Sequence, residues 1–202
     1  MHQERTKPAI AAVVAAAGMS RRMGTAKQLL PWHGQTGISA VVSNLDTAGA
    51  TPIVVVTGHR QAEVAAALAA TPARTVYNAD YTTDEMLRSY QVGIAALVED
   101  HCAGALIALG DQPHIPAAVI RQVIVQAQNT PEQLVVPSHA MRRGHPFFVP
   151  RRLWPELLAL TADESLRTLV LHHSASIIYV DVATDAILRD MDTPVDFEQL
   201  RR

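Results

Sequence analysis

The stretch Ala9-Ile10-Ala11-Ala12-Val13-Val14-Ala15-Ala16-Ala17-Gly18-Met19-Ser20-Arg21-Arg22-Met23-Gly24-Thr25-Ala26-Lys27 passes from an unbroken apolar run into a glycine-punctuated basic loop. The run, residues 9–18, is half of the roughly 20 residues that a membrane-spanning helix needs. Arg5 and Lys7 ahead of it, and Ala15-Ala16-Ala17 at its end, give it the outline of an export signal. Glu4 in the leading part and Ser20-Arg21-Arg22 immediately behind speak against that reading. A short run centred on β-branched Val13-Val14 and closed by a glycine reads instead as a strand buried on both faces.

Outward from this strand the pattern recurs. Ile53-Val54-Val55-Val56 is closed by Thr57-Gly58, and residues 105–109 are closed by Gly110-Asp111. Shorter apolar runs at 74–77, 134–136, 147–149 and 177–182 also read as strands, with Arg142-Arg143-Gly144 turning between two of them. Helical spacing fills the intervals. Ile38, Val41, Val42 and Leu45 share a face, and Gly49 stands at the C-cap. Residues 61–69 are alanine-rich helix. Asp84 is a candidate N-cap for a helix with Met86, Tyr90, Gly93 and Leu97 on one side. Pro116 opens a helix carrying Val119, Ile120, Val123, Ile124 and Ala127. Residues 165–171 are helical, and Thr193-Pro194 starts a last helix with proline at its first position.

Apolar strands separated by amphipathic helices predict an α/β fold, a three-layer α/β/α sandwich around a mostly parallel sheet. Ligands on such sheets bind beyond the carboxyl ends of the strands. That rule singles out four loops: residues 18–27, 58–60, 78–84 and 110–113.

A chain of 202 residues with 49% hydrophobic content fits one domain over 1–202. The 17 Lys+Arg against 19 Asp+Glu give a net charge of −2, which disfavours a nucleic-acid-coating protein. Cys102 stands alone, so an internal disulfide, a zinc finger and an iron–sulfur cluster are excluded and a reducing compartment is expected.

The loop after the first strand has the ingredients of a phosphate cradle, with inward backbone N–H groups and Arg21, Arg22 and Lys27. It is not a P-loop, because five residues separate Gly18 from Gly24 and Lys27 follows at a distance. From spacing alone, a phosphate site and a solvated basic turn are equally good readings. Asp111, at the end of a buried strand, is placed to hold Mg²⁺, although an Asx turn leading into Pro113 explains it as well or better. Asp190 and Asp192 fall on one face of an extended segment, and spacing does not decide between a metal role and a helix lead-in. Of nine histidines, His172-His173 diverge on a helix, and no His-Glu-x-x-His occurs, so zinc chemistry is not expected. A lone His145 in a turn reads as structural on its own. No Gly-x-Ser-x-Gly elbow is present.

Taken together these motifs resemble the MobA/MocA-like nucleotidyltransferases. The likeness runs through Ala16-Ala17-Gly18-x-Ser20-x-Arg22-Met23-Gly24-x-x-Lys27-x-Leu29-Leu30-Pro31-Trp32, Val54-Val55-Val56-Thr57-Gly58, Met86-x-x-Ser89, Gly110-Asp111-Gln112-Pro113, Arg143-Gly144-His145-Pro146 and Asp190-x-Asp192-Thr193-Pro194, in family order over almost the whole chain. The resemblance implies a Rossmann-like, nucleotide-diphospho-sugar transferase-like sandwich. It implies a triphosphate loop in which Ala16, Ala17, Gly18, Ser20 and Gly24 supply backbone and Arg22 and Lys27 supply charge, with Asn78 also on the nucleotide. Lys27, Arg22 and Asp111 would be catalytic. Asp111 would hold Mg²⁺ with an acid of the Asp190/Asp192 pair, Asp192 being preferred, and Ser89 and His145 would face the acceptor.

Within the family, Ala-Ala-Gly in the first loop resembles the cytidylyl branch and Ala-Gly-Gly the guanylyl branch. The methyl of Ala17 can shape a pyrimidine pocket where glycine leaves room for a larger base. The chain departs from the cytidylyl pattern at Glu85, Tyr90 and Ala79, where Gly, Leu and Pro are usual; these changes leave the triphosphate loop intact and alter the acceptor side. The implied activity is Mg²⁺-dependent transfer of CMP from CTP to molybdopterin in the cytoplasm, with pyrophosphate released and a molybdoenzyme as partner. Alternatives are a GTP-using guanylyltransferase, a transferase acting on a sugar or polyol phosphate, and a non-catalytic cofactor-maturation accessory. Neither nucleic acid nor membrane is an expected partner.

Overall fold

In the computed structural model the described residues are 7–20, 23, 25–83 and 86–201. Strand β1 (Ile10–Ala16) lies inside the sheet, hydrogen-bonded in parallel to β4 (Ile53–Thr57) on one side and to β6 (Gly104–Leu109) on the other. Small and β-branched side chains on both faces suit that position, since helices can then approach from above and below. The sheet order is β10-β7-β9-β6-β1-β4-β5, with β5 (Arg74–Tyr77), β7 (Val135–His139), β9 (Phe147–Pro150) and β10 (Ile178–Asp181) completing the path and β8 (Arg142–Arg143) paired to β7. Within this sheet, only the pairings of β9 with β6 and β7, and of β8 with β7, are antiparallel among the described residues. The mostly parallel sheet expected from the sequence is therefore present, with an antiparallel insertion.

Alternation along β1 divides the core into two. Ile10, Ala12 and Val14 pack with Val55 against α1 (Gly37–Ala48) and α4 (Ala117–Asn129), through Ile38, Leu45, Ile120 and Val123. Ala11 and Val13 pack with Val54 and Val56 against α3 (Met86–Ala95), α5 (Trp154–Ala159) and α6 (Leu166–His172). Helix α2 (Gln61–Ala67) joins the first layer through Val64. The result is the three-layer α/β/α sandwich. A third, smaller cluster of Trp32, Ala40, Met191 and Phe197 anchors α7 (Pro194–Arg201) beside α1.

Helix ends follow local chemistry. Thr36 Oγ1 accepts from the Ser39 N–H at 3.3 Å to start α1, and Gly49 closes it in the left-handed region at φ 99°. Pro116 is the N-cap of α4, and its five predicted apolar positions are all buried.

The structure corrects several expectations. Met86 is exposed, and the buried face of α3 runs instead through Leu87, Tyr90 and Ile94, continuing to Leu97. Asp84 lies outside the described residues. Arg142-Arg143 is a strand rather than a turn; the chain reverses at Ala140-Met141, both at positive φ. Edge strands β5 and β10 are partly exposed, because no neighbour covers their outer side. A hairpin of β2 (Pro31–Trp32) and β3 (Gln35–Thr36) around His33-Gly34 was not anticipated, nor was α5. No helix among the described residues is long and apolar enough to cross a membrane.

Candidate active site

The carboxyl end of β1 is held by a buried polar side chain. Gln28 Nε2 donates to the Ala16 carbonyl at 3.1 Å, and the Lys27 N–H donates to Ser20 Oγ at 3.2 Å. Ser20 itself takes a positive φ of 51°, and its carbonyl accepts the Met23 N–H at 3.0 Å. The loop after β1 is thereby folded back on the turn that carries Lys27. On its other side the Ala17 carbonyl accepts the His59 N–H at 3.0 Å. A Cβ on Gly18 would meet nothing within 4 Å, so the loop backbone there faces open space. That space is a cavity of about 420 Å³ walled by Ala16, Ala17, Gly18, Ser20, Lys27, Ser89 and Asp111. Arg22 and Gly24 lie outside the described residues.

At one end of the cavity the charges converge. Lys27 is 8% exposed. Its Nζ donates to Asp111 Oδ2 at 3.3 Å and to Asp192 Oδ1. Asp111 stands just beyond β6, and burial pushes its carboxyl up while the Lys27 ammonium pulls it part of the way back. Asp192 arrives from the far end of the sequence. Its N–H donates to Asp196 Oδ2 at 3.2 Å; Asp196 and Thr193 then cap α7 reciprocally, Thr193 N–H to Asp196 Oδ2 at 2.7 Å and Asp196 N–H to Thr193 Oγ1 at 3.2 Å. Asp190 is exposed and contributes only a small repulsion at Asp111.

Two carboxylates from different segments thus aim at one cationic point. No cluster of three or more metal-binding side chains occurs among the described residues. A pair of acids beside open space fits an Mg²⁺-type ion, which takes one or two carboxylates and completes its shell with phosphate and water. It does not fit zinc, which takes three or four nitrogen or sulfur ligands.

Residues 12–177 match the MobA-like NTP transferase domain. The chain belongs to this family. It is 28% identical over 193 residues to the molybdenum cofactor cytidylyltransferase of Escherichia coli, covering 94% of each chain. It is 26% identical over 196 residues to the nicotine blue oxidoreductase of Paenarthrobacter nicotinovorans, covering 92% of this chain and 93% of the relative. Among solved structures, Rv0371c of Mycobacterium tuberculosis superposes with a TM-score of 0.79 at 30% identity, over 96% of this chain and 98% of that one. A second crystal structure of Rv0371c is a complex with manganese, at a TM-score of 0.72, 29% identity and the same coverage.

The rest of this MobA-like domain's site divides the two side chains expected to face an acceptor. Ser89 borders the first cavity and accepts from Asn78 Nδ2 at 3.1 Å. Asn78 is 1% exposed, and its Oδ1 accepts the Asp80 N–H at 3.0 Å. One amide N–H and the oxygen of Asn78 thus brace Ser89, which walls the cavity, and the turn at Asp80. His145 lines a second cavity of about 470 Å³ together with Leu87, Tyr90, Arg143, Phe147 and Arg167. Met86 borders both cavities. The Tyr90 hydroxyl donates to Met86 Sδ at 2.7 Å, and burial, with the nearby Asp111 charge, pushes its phenol well up. His145 borders the cavity rather than bulk water, and burial pushes its imidazole down to about 4. It is therefore neutral at neutral pH.

Sequence reasoning missed Gln28, Tyr81, Met86, Arg143 and Arg167 as site residues. Gln28 carries no local signal, because a glutamine between Lys27 and Leu29 becomes a brace only when Ala16 is folded against it. Arg143 could have been found, since it stands within the Arg143-Gly144-His145-Pro146 motif.

Proposed function

We propose that this protein transfers CMP from CTP to the phosphate of molybdopterin or its molybdenum form, releasing pyrophosphate, with Mg²⁺ as the cation. The observation that carries the reading is the meeting of Lys27, Asp111 and Asp192 at one end of a cavity whose wall is the loop after β1. The E. coli relative supports the choice of nucleotide and acceptor, as does the Ala17 methyl beside the cavity. The oxidoreductase relative matches over nearly as much of the chain, so similarity alone does not select the reaction.

In this reading the loop backbone at Ala16–Gly18, Ser20 and Gly24 cradles the triphosphate, with Arg22 and Lys27 adding charge. Asp111 and Asp192 would hold the cation, which when bound supplies Lewis-acid neutralisation of phosphate charge. An acceptor phosphate oxygen attacks the α-phosphorus in line. The bond to the β-phosphate's bridging oxygen breaks, and its electron pair leaves with pyrophosphate. A phosphate monoester has its second pKa near about 6 and is ionised at neutral pH, so no strong general base is needed. Lys27 Nζ would meet charge growing on the departing oxygens, and a buried ammonium does this better than a solvated one. The work left to the protein is alignment of the two phosphates.

The acceptor's body goes to the second cavity, past Ser89 and Met86. Leu87, Tyr90, Phe147 and Val170 form its walls, Arg143 and Arg167 stand on its border, and no carboxylate lines it among the described residues. Apolar walls with cations suit a ring-bearing anion. A polyol or sugar phosphate would lay much of its hydroxylated surface against apolar side chains there, which costs affinity. In the cell we place the protein in the cytoplasm, handing its product to a molybdoenzyme.

The test is pyrophosphate release with Mg²⁺, molybdopterin or its molybdenum form, and CTP, GTP or UTP in parallel. Release with CTP is expected. Release with GTP alone would retain the chemistry and overturn the role given to Ala17. Tight cofactor binding with no release from any nucleotide would make the protein a carrier rather than a transferase.

A further inference from the structure

We propose that Gln112 and His114 are positioning residues that hold the strap of residues 185–192 so that Asp192 meets Asp111 and Lys27. The proposal rests on the reading above that Asp111 and Asp192 share a cation. Asp192 lies 81 positions after Asp111 (192 − 111), and something must fix their approach. The residues that follow Asp111 supply the grip. Gln112 Nε2 donates to the Arg189 carbonyl at 3.4 Å, and His114 Nε2 reaches both the Ala186 and Arg189 carbonyls at 3.2 Å. One short loop thus carries the first acid and clasps the segment that delivers the second.

Other contacts seat the strap on either side of this grip, and Asp196 Oδ2 accepts the Asp192 N–H at 3.2 Å just beyond it. Ile187 is buried under Gly144, where a Cβ would come within 2.2 Å of the Ile187 carbonyl oxygen. Met191 is fully buried among Trp32, Ala40 and Phe197. Trp32 also stands beside the His114 ring, with centroids 6.5 Å apart. These contacts fix the depth of the strap. The two side-chain donors bond its backbone just ahead of Asp192 and fix its register.

A cost incurred at both positions points the same way. Gln112 Oε1 and His114 Nδ1 are buried with no hydrogen-bond partner among the described residues. Leaving a buried polar atom unpaired is unfavourable, and apolar residues of similar shape would avoid it. What apolar residues cannot do is donate to the strap's carbonyls. Because carbonyls only accept, His114 must carry its proton on Nε2. Burial also pushes its imidazole below the usual histidine range, which keeps it neutral.

The experiment is a Mn²⁺ titration with CTP present and no acceptor, read as the loss of the free-ion EPR signal beyond that caused by CTP without protein. His114→Ala is expected to weaken Mn²⁺ binding by about 10-fold or more, as removal of outer-shell support does at metal sites. CTP binding measured in EDTA should be unchanged. His114→Gln, which can place an N–H near the Nε2 position, should recover most of the affinity; a merely space-filling role would not show this rescue. Gln112→Met removes the donor and the unpaired oxygen together, so Mn²⁺ binding should fall while the melting temperature holds or rises. It also serves if His114→Ala does not fold. Wild-type Mn²⁺ affinity in folded His114→Ala or Gln112→Met would overturn the positioning role. Absence of Mn²⁺ binding by the wild-type protein would overturn the cation-site reading beneath it.

Discussion

Asp111 sits where burial opposes its charge and Lys27 supports it, and burial is the larger effect. A carboxyl raised above its unfolded value favours folding below the ordinary carboxylate range, and that contribution is lost as pH rises through the raised folded value. At neutral pH the ionised group is therefore a net burden on stability. Asp111→Asn should melt higher than wild type at pH 7, with the gain shrinking as both proteins are acidified, while turnover falls by orders of magnitude. Paired melting and pyrophosphate-release measurements check this. Loss of stability without loss of turnover would contradict it. His145 gives the opposite case. Its folded imidazole is depressed to about 4, against about 6.5 in the unfolded chain. Its contribution is complete above about 6.5 and lost as pH falls toward about 4. His145→Gln should flatten the melting-temperature profile across that window and leave it unchanged above pH 7. Lys27, Asp111 and Asp192 were legible through the family resemblance, since their places at the ends of elements left a bland reading open for each. Their mutual contact was not, since no spacing rule joins positions 27, 111 and 192. Asn78, a nucleotide ligand by the resemblance alone, shows what no motif displays: its amide braces Ser89 and the turn at Asp80.

The elements bordering the site are set by how closely α3 approaches the sheet. At Gly93 a Cβ would lie 2.3 Å from Val13 Cγ1 and 3.0 Å from Val56 Cγ2. Both neighbours are β-branched side chains in the middle of strands and have little freedom to turn aside. Alanine in a helix interior is worth about 1 kcal/mol over glycine, but overpacking a filled core costs about 1–3 kcal/mol. Gly93→Ala should therefore lose up to about 2 kcal/mol of stability despite its better helix propensity. Because α3 carries Ser89 and Met86, activity should fall with it. Chemical denaturation at an unchanged m-value, run beside the assay, checks both. A stabilised Gly93→Ala would mean that helix propensity outweighs the approach to β1. The same scale explains what periodicity read well and badly. Strands buried on both faces announce themselves as apolar runs, as β1, β4 and β6 do. The β7–β8 hairpin does not, because its turn residues Ala140 and Met141 adopt positive φ without the usual Asn or Gly. Arg142-Arg143 was the more turn-like pair and took the strand instead.

At the scale of the whole molecule, two cavities of about 420 and 470 Å³ meet at Met86. One is charged where Lys27 and Asp111 meet and the other is mostly apolar, which accords with the proposed transfer to a ring-bearing phosphate. The sequence contains the first through its loop motifs. It contains the second only in pieces, since Tyr90, Arg143, Phe147 and Arg167 come from four elements and form a wall only after folding. This arrangement makes nucleotide binding measurable without knowing the acceptor. A ligand that binds only the folded chain stabilises it by about 2.7 kcal/mol at 100 times its Kd. For a chain of this size each kcal/mol moves the melting temperature by about 2–4 °C. CTP with Mg²⁺ at that excess should then raise it by roughly 5–11 °C. GTP should do less if, as proposed, the Ala17 methyl borders the base. Lys27→Ala should abolish most of the CTP shift, since it removes a cation from the triphosphate end, whereas His145→Gln should retain it, its side chain lying in the other cavity. Equal shifts for CTP and GTP would remove the base-selective role of Ala17. Loss of the CTP shift in His145→Gln would mean that the nucleotide, not the acceptor, occupies the second cavity.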